Sequence, residues 1–217
     1  NPDDVVREFG ADTFRMYEMF MGPFEDAAPW STKGILGVHR FLNRFWNWAN
    51  LLIKEFNNGK DFETDKESQR LIHQTILKTT NDILNFNFNT AISSFMILLN
   101  NLKDKKIARK DFEIILKIMH PFTPHITQEL WSSLGNNSYI DNESWPQYDK
   151  DLILEEEVNL VIQVNGKMRD VLKVKRDILE NEALNLALQS KKVQNFLKGQ
   201  NPKKIIYLQN KILNIII

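Results

Sequence analysis

Basic side chains are concentrated in the stretch "VNLVIQVNGKMRDVLKVKR", residues 158–176. Apolar and polar residues alternate on both sides of Asn165-Gly166, a dipeptide that accepts the positive φ angles of a two-residue β-hairpin turn. The second strand carries Lys167 and Arg169, and alternate residues of a strand lie on one face of a sheet. Cations spaced in this way can contact successive phosphate groups. The stretch therefore predicts a hairpin that binds an anionic partner.

Two registers remain open for this hairpin. A strict two-residue turn pairs Val164 with Lys167 and Ile162 with Arg169, so an apolar face would meet a basic one. Either that face is mixed, or a β-bulge, which inserts one extra residue into a strand, shifts the pairing.

Four more residues of this region are candidate contacts. Lys203 and Lys204 precede a predicted strand, and Lys211 lies in the turn that follows it. Tyr207 can stack on an exposed base, and the alternative is that it packs as a half-buried strand residue. For the lysines, the alternative is a surface that only keeps the protein soluble.

The net charge of zero hides an asymmetry along the chain. Residues 158–217 contain eleven Lys and Arg but four Asp and Glu, a net charge of +7, and residues 1–157 carry −7. This division predicts a domain boundary near residue 157 and an anionic partner for the C-terminal part, with nucleic acid as the leading class. Small domains also acquire a few net charges without any partner, which is the simpler alternative.

The C-terminal part is predicted to be a small α+β domain with the order strand, strand, helix, strand, strand. Its helix should run from about Asp177 to Gly199, and "KKIIYLQ" and "ILNIII" should form the last two strands. The expected core face of the helix consists of Leu184, Leu188, Val193, Phe196 and Leu197.

The first 157 residues are predicted to be helical. One helix should begin at Pro2 and end at Gly10. Asp12 is expected to cap a second helix that ends at Gly22-Pro23. "PFEDAAPW" should be a loop. Ser31 should cap a long helix to about Asn57, because apolar residues recur there at three- and four-residue steps: Ile35, Val38, Leu42, Phe45, Ala49 and Leu52.

Four further helices complete the predicted first domain. They span about 66–85, a segment capped by Asn89 or Thr90, residues 109–119, and a helix from Pro124 to near Gly135. The fold class is therefore mainly α, a helix bundle followed by the small α+β domain.

The long helix carries the candidate binding residues of the bundle. Arg40 and Arg44 are four residues apart, so they lie on one helix face, and Lys54 follows on the same helix. Each such cation that contacts a phosphate adds to affinity and to its salt dependence. A solvated surface or a pair with a carboxylate is the alternative for both arginines. Trp46 and Trp48 interleave with them and are expected in the core.

Several kinds of chemistry are not expected of this sequence. It has no cysteine, so it cannot form a disulfide or a thiolate metal site, and we expect no metal ligands and no catalytic residues. It contains no glycine-rich phosphate loop. No apolar run approaches the roughly 18 residues of a membrane span.

Five motifs together resemble leucyl-tRNA synthetases of the bacterial type, which are class I synthetases. The motifs are "NPDDVVREFGADTFRMYEMFMGPFEDAAPWSTKGILGVHRFLNRFW", "FNTAISSFM", "HPFTPHITQELW", "IQVNGKMRD" and "KIIYLQNKILNIII". They occur in the family's order and span essentially the whole chain. "GADTFRMYEMFMGP" and "GVHRFLNRFW" match the leucine enzymes better than the isoleucine, valine or methionine enzymes.

The resemblance implies a C-terminal piece of such an enzyme. The family's catalytic domain, with its HIGH and KMSKS sequences, and its editing domain have no counterpart here, and the start "NPDD" without Met indicates a fragment. Residues 1–30 would be the stem-contact segment after KMSKS, 31–148 the anticodon-binding helix bundle, 149–157 a linker, and 158–217 the C-terminal tRNA-binding domain. In this family the bundle positions the anticodon stem without reading its bases, and the C-terminal domain reaches the tRNA elbow.

The resemblance also implies the partners of the parent enzyme. The parent would ligate leucine to tRNA(Leu) with ATP and Mg²⁺, as a cytoplasmic monomer that does not bind membranes. The fragment itself would need no cofactor and would be inactive. The alternative is a free-standing helical module whose basic tail binds RNA or protein non-specifically. The tail of an isoleucine or valine enzyme is disfavoured by "MFMGP" and by the lack of a cysteine-rich zinc tail.

The hairpin assignment leads to a first prediction. Lys167→Glu combined with Arg169→Glu should weaken tRNA binding, because two phosphate contacts become repulsive, while the thermal unfolding midpoint stays nearly unchanged. Fluorescence-detected tRNA binding and thermal unfolding of the double variant measure both effects. Unaltered binding would refute the assignment.

Overall fold

The structure is a computed structural model that describes residues 1–23, 25, 29–154 and 157–217. The chain divides into two compact units, Asn1–Ile153 and Leu154–Ile217. Each unit has its own hydrophobic core. Part of the predicted loop at 23–30 and two residues of the predicted linker, 155 and 156, lie outside the described residues.

The first unit is the predicted helix bundle. Its described helices are α1 (Pro2–Phe9), α2 (Ala11–Phe20), α3 (Thr32–Asn57), α4 (Lys66–Leu84), α5 (Phe88–Leu102), α6 (Arg109–Met119), α7 (Pro124–Ser133) and the short α8 (Lys150–Ile153), with a 3₁₀ turn at Ile140–Asn142. Helix α8 belongs to the segment predicted as a linker. It packs on α4, where Gln74 Nε2 donates a hydrogen bond to the carbonyl oxygen of Ile153 over 3.1 Å.

Helix α3 confirms the prediction made from its apolar period. Ser31 caps it through its hydroxyl oxygen, which accepts a hydrogen bond from Gly34 N. All six residues of the predicted face are buried. Three and four residues make about one turn of an α-helix, so residues at these steps face the same neighbours. This side of α3 forms the centre of the bundle core.

Two predicted helix caps are wrong. Helix α2 already begins at Ala11, after Gly10, and Asp12 lies inside it with its carboxylate directed to another helix. Helix α5 begins at Phe88, before Asn89 and Thr90. The Thr90 hydroxyl instead donates to Asp82 Oδ2, over 2.8 Å, which ties α5 to α4. In both cases a tertiary partner takes the side chain that local sequence assigns to a cap.

The second unit is the predicted α+β domain, with one difference. It contains β1 (Glu157–Val164), β2 (Lys167–Lys175), α9 (Glu180–Gln189), α10 (Lys191–Leu197), β3 (Lys204–Leu208) and β4 (Ile212–Ile216). The predicted single helix is two helices, because the backbone at Ser190 is extended. The strand order is β2-β1-β4-β3, with β1 and β4 parallel and the other pairs antiparallel.

A β-bulge decides the register that the sequence left open. Gln163 pairs with Met168 and Ile162 pairs with Asp170, so Arg169 is the extra residue of β2. Beyond the bulge, Leu172 and Val174 lie opposite the buried or half-buried apolar residues of β1. An unbulged register would turn Lys173 towards that apolar face instead. The bulge therefore keeps the lysine out of the core.

Gly34 generates a prediction about the packing of α3. A Cβ at this position would lie 2.8 Å from Tyr17 Cε2, and Tyr17 is held in place because its hydroxyl accepts a hydrogen bond from Ser31 N. Gly34→Ala should therefore lower the free energy of unfolding by about 1–3 kcal/mol through overpacking. Urea unfolding measures this change.

The matched control is Gly37→Ala in the same helix. A Cβ there has no atom within 4 Å, so alanine should leave stability unchanged or raise it by up to about 1 kcal/mol through its helix propensity. Equal effects of the two substitutions would contradict the close packing of Gly34 on Tyr17.

Candidate nucleic-acid interface

The predicted cations of the bundle lie on the outer surface of α3. Arg40, Arg44 and Lys54 are all exposed. Arg44 has one long contact, 3.4 Å from Nη1 to Asn100 Oδ1, and Arg40 has no hydrogen bond or ion pair with the described residues. Their positive charge is therefore available to a ligand. Their role in binding stays a prediction.

The two tryptophans between these cations are core residues. Trp48 is buried and packs edge-to-face on Phe112, with 5.6 Å between ring centroids. Trp46 is half-buried and contacts the same core. Neither ring is presented as an open platform for a base.

The structure brings Lys54 together with further cations that sequence reasoning missed. We call Lys54, Lys60, Lys106 and Lys110 the loop-end cluster, because they lie at the end of α3, in the loops that follow α3 and α5, and in the first turn of α6. Lys106 Nζ lies 4.8 Å from the ring centroid of Phe62. The pKa of Glu55 is lowered, first by a hydrogen bond from Lys60 and then by the charges of Lys60, Lys106 and Lys54.

A second carboxylate connects Lys110 to the same place. The pKa of Asp61 is lowered by hydrogen bonds from the backbone N–H groups of Arg109 and Phe62, and further by the charges of Arg109 and Lys110. The sequence signal for this cluster was the basic run "KDKKIARK" at 103–110. This run alone does not predict the cluster, because the other cations lie about 45 residues away in the sequence and only the fold brings them close.

Polar contacts of three side chains fix α2 on the rest of the bundle. The buried carboxylate of Asp12 accepts hydrogen bonds from the N–H groups at the start of α7: Ile126 N at 2.7 Å and His125 N at 3.3 Å. Arg15 donates through Nε and Nη2 to the carbonyl oxygen of Pro121, at 3.0 and 2.9 Å. Thr13 Oγ1 lies 3.3 Å from His39 Nδ1 on α3.

These contacts give the motif "HPFTPH" a structural role. The Pro121 carbonyl and the first N–H groups of α7 have no helical partner of their own, and side chains of α2 supply one. The N-terminal helices therefore pack on the bundle through this motif. Residues 1–20 and the bundle are held in one arrangement, which explains why the two belong to one compact unit.

The second unit gathers three of its predicted lysines at one end of the sheet. Lys204 pairs with Ile216, and Ile217 N donates to Asn165 Oδ1, so the start of β3 lies at the same end as the hairpin turn. We call Lys167, Lys203 and Lys204 the sheet-end cluster. All three are exposed.

Lys211 lies at the opposite end of the sheet. Its carbonyl oxygen accepts a hydrogen bond from Val161 N. Along the chain, Lys211 lies five residues before Ile216, the residue of β4 that pairs with Lys204. At 3.3 Å per residue the separation is roughly 17 Å. Lys211 is exposed but cannot belong to the sheet-end cluster.

Arg169 and Lys167 do not form the expected row on one face, which is a correction to the sequence analysis. The bulge makes Arg169 an extra residue, and its guanidinium carbon lies 3.7 Å from the ring centroid of Phe196 on α10. Phe196 was predicted in the core but is 42% exposed, because Val193 and Leu197 occupy the buried side of α10.

Asp170, the residue after the bulge, holds the junction of α9 and α10. Its carboxylate accepts hydrogen bonds from Ser190 Oγ at 2.6 Å and Lys192 Nζ at 3.0 Å. These two contacts, in that order, are the main causes that lower the pKa of Asp170. The carboxylate is therefore not the partner of the neighbouring Arg169.

Tyr207 faces the helices of the second unit. Its ring packs on the core, and its hydroxyl donates a hydrogen bond to the carbonyl oxygen of Ile178. Burial is the first cause that raises the pKa of this phenol. The geometry supports strand packing, the alternative to stacking on a base.

Two further observations concern metal binding and membrane spans. Within residues 1–23, 25, 29–154 and 157–217, no cluster of three or more His, Cys, Asp or Glu has a geometry that could hold a metal ion. None of the helices described is both long and apolar enough to cross a membrane.

A segment that makes up more than half of the chain matches a known protein family. Residues 65–184 match the family described as the anticodon-binding domain of tRNA ligase. The chain belongs to this family.

Along its whole length the chain is similar to leucine–tRNA ligases, as the sequence motifs predicted. The chain is 41% identical to the leucine–tRNA ligases of Leptospira biflexa and Borreliella afzelii, over all of its own length and 25% of theirs. It thus spans about a quarter of these relatives. A LeuRS chain of Agrobacterium radiobacter, from the crystal structure of a ternary complex with tRNA and LeuAMS, has the same fold. Its TM-score is 0.82 at 27% identity, covering all of this chain and 29% of that one.

The Asp12 contact leads to a prediction. Asp12→Ala removes the cap of α7 and leaves two N–H groups without a protein partner, so the free energy of unfolding should fall by about 1–3 kcal/mol. Urea unfolding measures the change. Asp4→Ala is the control, because Asp4 is exposed and its ion pair is with the equally exposed Arg7, and it should change stability by less than about 0.5 kcal/mol. Equal losses would show that the Asp12 carboxylate has no special role.

Proposed function

We propose that this chain is the tRNA-binding portion of a leucine–tRNA ligase. The observation that carries the proposal is the similarity along its full length to leucine–tRNA ligases, together with the shared fold of a LeuRS chain crystallised with tRNA. The parent enzyme would ligate leucine to tRNA(Leu) with ATP and Mg²⁺, as a cytoplasmic monomer. The chain itself would bind neither ATP nor Mg²⁺ and would be inactive alone.

The proposed role is to hold tRNA by its backbone. Arg40 and Arg44 present two guanidinium groups one helical turn apart, and the loop-end cluster adds further cations to the first unit. Contacts of this kind with phosphate groups position an RNA without reading its sequence. The sheet-end cluster gives the second unit its own cationic surface.

The alternative function is a free-standing helical module that binds RNA or protein non-specifically. The fold and the family do not favour it. The two functions differ in selectivity. A ligase portion should prefer tRNA(Leu), which has a long variable arm, whereas a non-specific module should follow length and charge alone.

The test measures fluorescence-detected binding of the chain to tRNA(Leu) and to a tRNA with a short variable arm, each at two salt concentrations. Tighter binding of tRNA(Leu) that persists at the higher salt is expected. Equal binding of both tRNAs that disappears with salt would instead support the non-specific module.

The positions of the lysines in the sheet predict which of them contribute to tRNA(Leu) binding. The triple change Lys167→Glu, Lys203→Glu and Lys204→Glu should weaken tRNA(Leu) binding on the order of tenfold or more and reduce its salt dependence. Lys211→Glu is the matched control, because it reverses a charge at the opposite end of the same sheet. The measurement is a titration of each variant at both salt concentrations. A loss for Lys211→Glu as large, per charge, as for the triple variant would mean that only net charge counts.

A further inference from the structure

The side chain of Arg169 is held in an unusual way. As the extra residue of the bulge it leaves the regular pattern of β2 and lies on Phe196, 3.7 Å from guanidinium carbon to ring centroid. A planar guanidinium at this distance stacks on the ring and is attracted by its π electrons. The aromatic ring thereby fixes the plane of the cation.

Among the residues that the structure describes, the guanidinium has no hydrogen-bond or ion-pair partner. Its Nε is buried without a hydrogen bond. The two outer nitrogens, Nη1 and Nη2, are not among the buried unpaired atoms and donate no hydrogen bond to the described residues, so they face solvent. Asp170, the nearest carboxylate in sequence, is already bound by Ser190 and Lys192. A partly buried arginine normally has a partner, so this one calls for an explanation.

The geometry limits what the partner can be. A guanidinium binds an oxyanion either side-on, through Nε and one Nη, or end-on, through both Nη atoms. Burial of Nε closes the side-on approach and leaves the end-on one. Two parallel N–H groups match two oxygens of one phosphate or carboxylate group. The exposed Lys167 lies two residues away, and residues 158–217 carry a net charge of +7, which favours a polyanion such as RNA over an isolated carboxylate.

We propose that Arg169, stacked on Phe196, is a preoriented fork that binds one phosphodiester group of the RNA end-on. The inference rests on the proposed function and deepens it by assigning a specific contact. The stack removes rotational freedom from the guanidinium before binding, so less entropy is lost when the phosphate arrives. The bulge is what places Arg169 on Phe196, and Phe196 acts as a positioning residue that need not contact the RNA.

The test separates a fork from a simple positive charge. Arg169→Lys keeps the charge and loses the planar pair of donors, so tRNA(Leu) binding should weaken by about fivefold to tenfold with little change in its salt dependence. Phe196→Leu keeps every charge and loses the ring, and it should weaken binding by about threefold. Phe196→Tyr keeps the ring and should bind like the unaltered chain.

The control is Lys191→Ala, which removes an exposed charge from the same helix and should change binding by less than about twofold. Thermal unfolding of each variant is measured in parallel. Arg169→Lys with unaltered affinity would overturn the fork, and so would equal losses for Phe196→Tyr and Phe196→Leu. If the unaltered chain fails to bind tRNA, the proposed function is refuted as well. If it binds but is insensitive to Arg169→Lys, only the fork is refuted.

Discussion

Helix α3 has to bury one apolar face along 26 residues, and the first unit is arranged around that requirement. Once Ile35, Phe45 and Leu52 are in the core, Arg40 and Arg44 have to lie outside. Strand β2 faces the same requirement with a period of two. Only the bulge brings Leu172 and Val174 to the apolar side of β1. Arg169 is the extra residue of this bulge, and its side chain packs on α10. Burial of apolar surface thus also decides where the cations are.

Polar contacts then select one arrangement of the helices. Apolar faces alone tolerate small rotations and shifts, because the hydrophobic effect has no direction. The carboxylate of Asp12 and the guanidinium of Arg15 do have direction. Asp12 binds N–H groups in the first turn of α7 and Arg15 binds a carbonyl group just before it, and these groups would otherwise lack partners. The N-terminal helices are therefore fixed on the bundle at the motif "HPFTPH". In the second unit, Asp170 does the same for the junction of α9 and α10.

The cations available for binding fall into groups that differ in how the structure positions them. Arg40 and Arg44 are supported by helix spacing alone. The loop-end cluster combines two helix ends and two loops around Glu55 and Asp61, so its local field is partly cancelled by those carboxylates. Lys167, Lys203 and Lys204 share one end of a sheet, and none of the three forms an ion pair with the described residues. Arg169 differs from all of these, because an aromatic ring orients it. A backbone-binding protein can use each kind, since phosphate groups are recognised by charge and geometry together.

The sequence by itself determined the helical character of the first unit, the face of α3, the hairpin at Asn165-Gly166, the α+β class of the second unit and the resemblance to leucyl-tRNA synthetases. These features depend on local period, turn chemistry and motif order, all of which are written in neighbouring residues. Only the tertiary structure decided the roles of Asp12, Thr90 and Tyr207, the bulge at Arg169, the break at Ser190 and the separation of Lys211 from the other lysines. Each of these depends on a partner distant in sequence, and a side chain that can cap its own helix, stack or bind takes whichever partner the fold brings within hydrogen-bonding or packing distance.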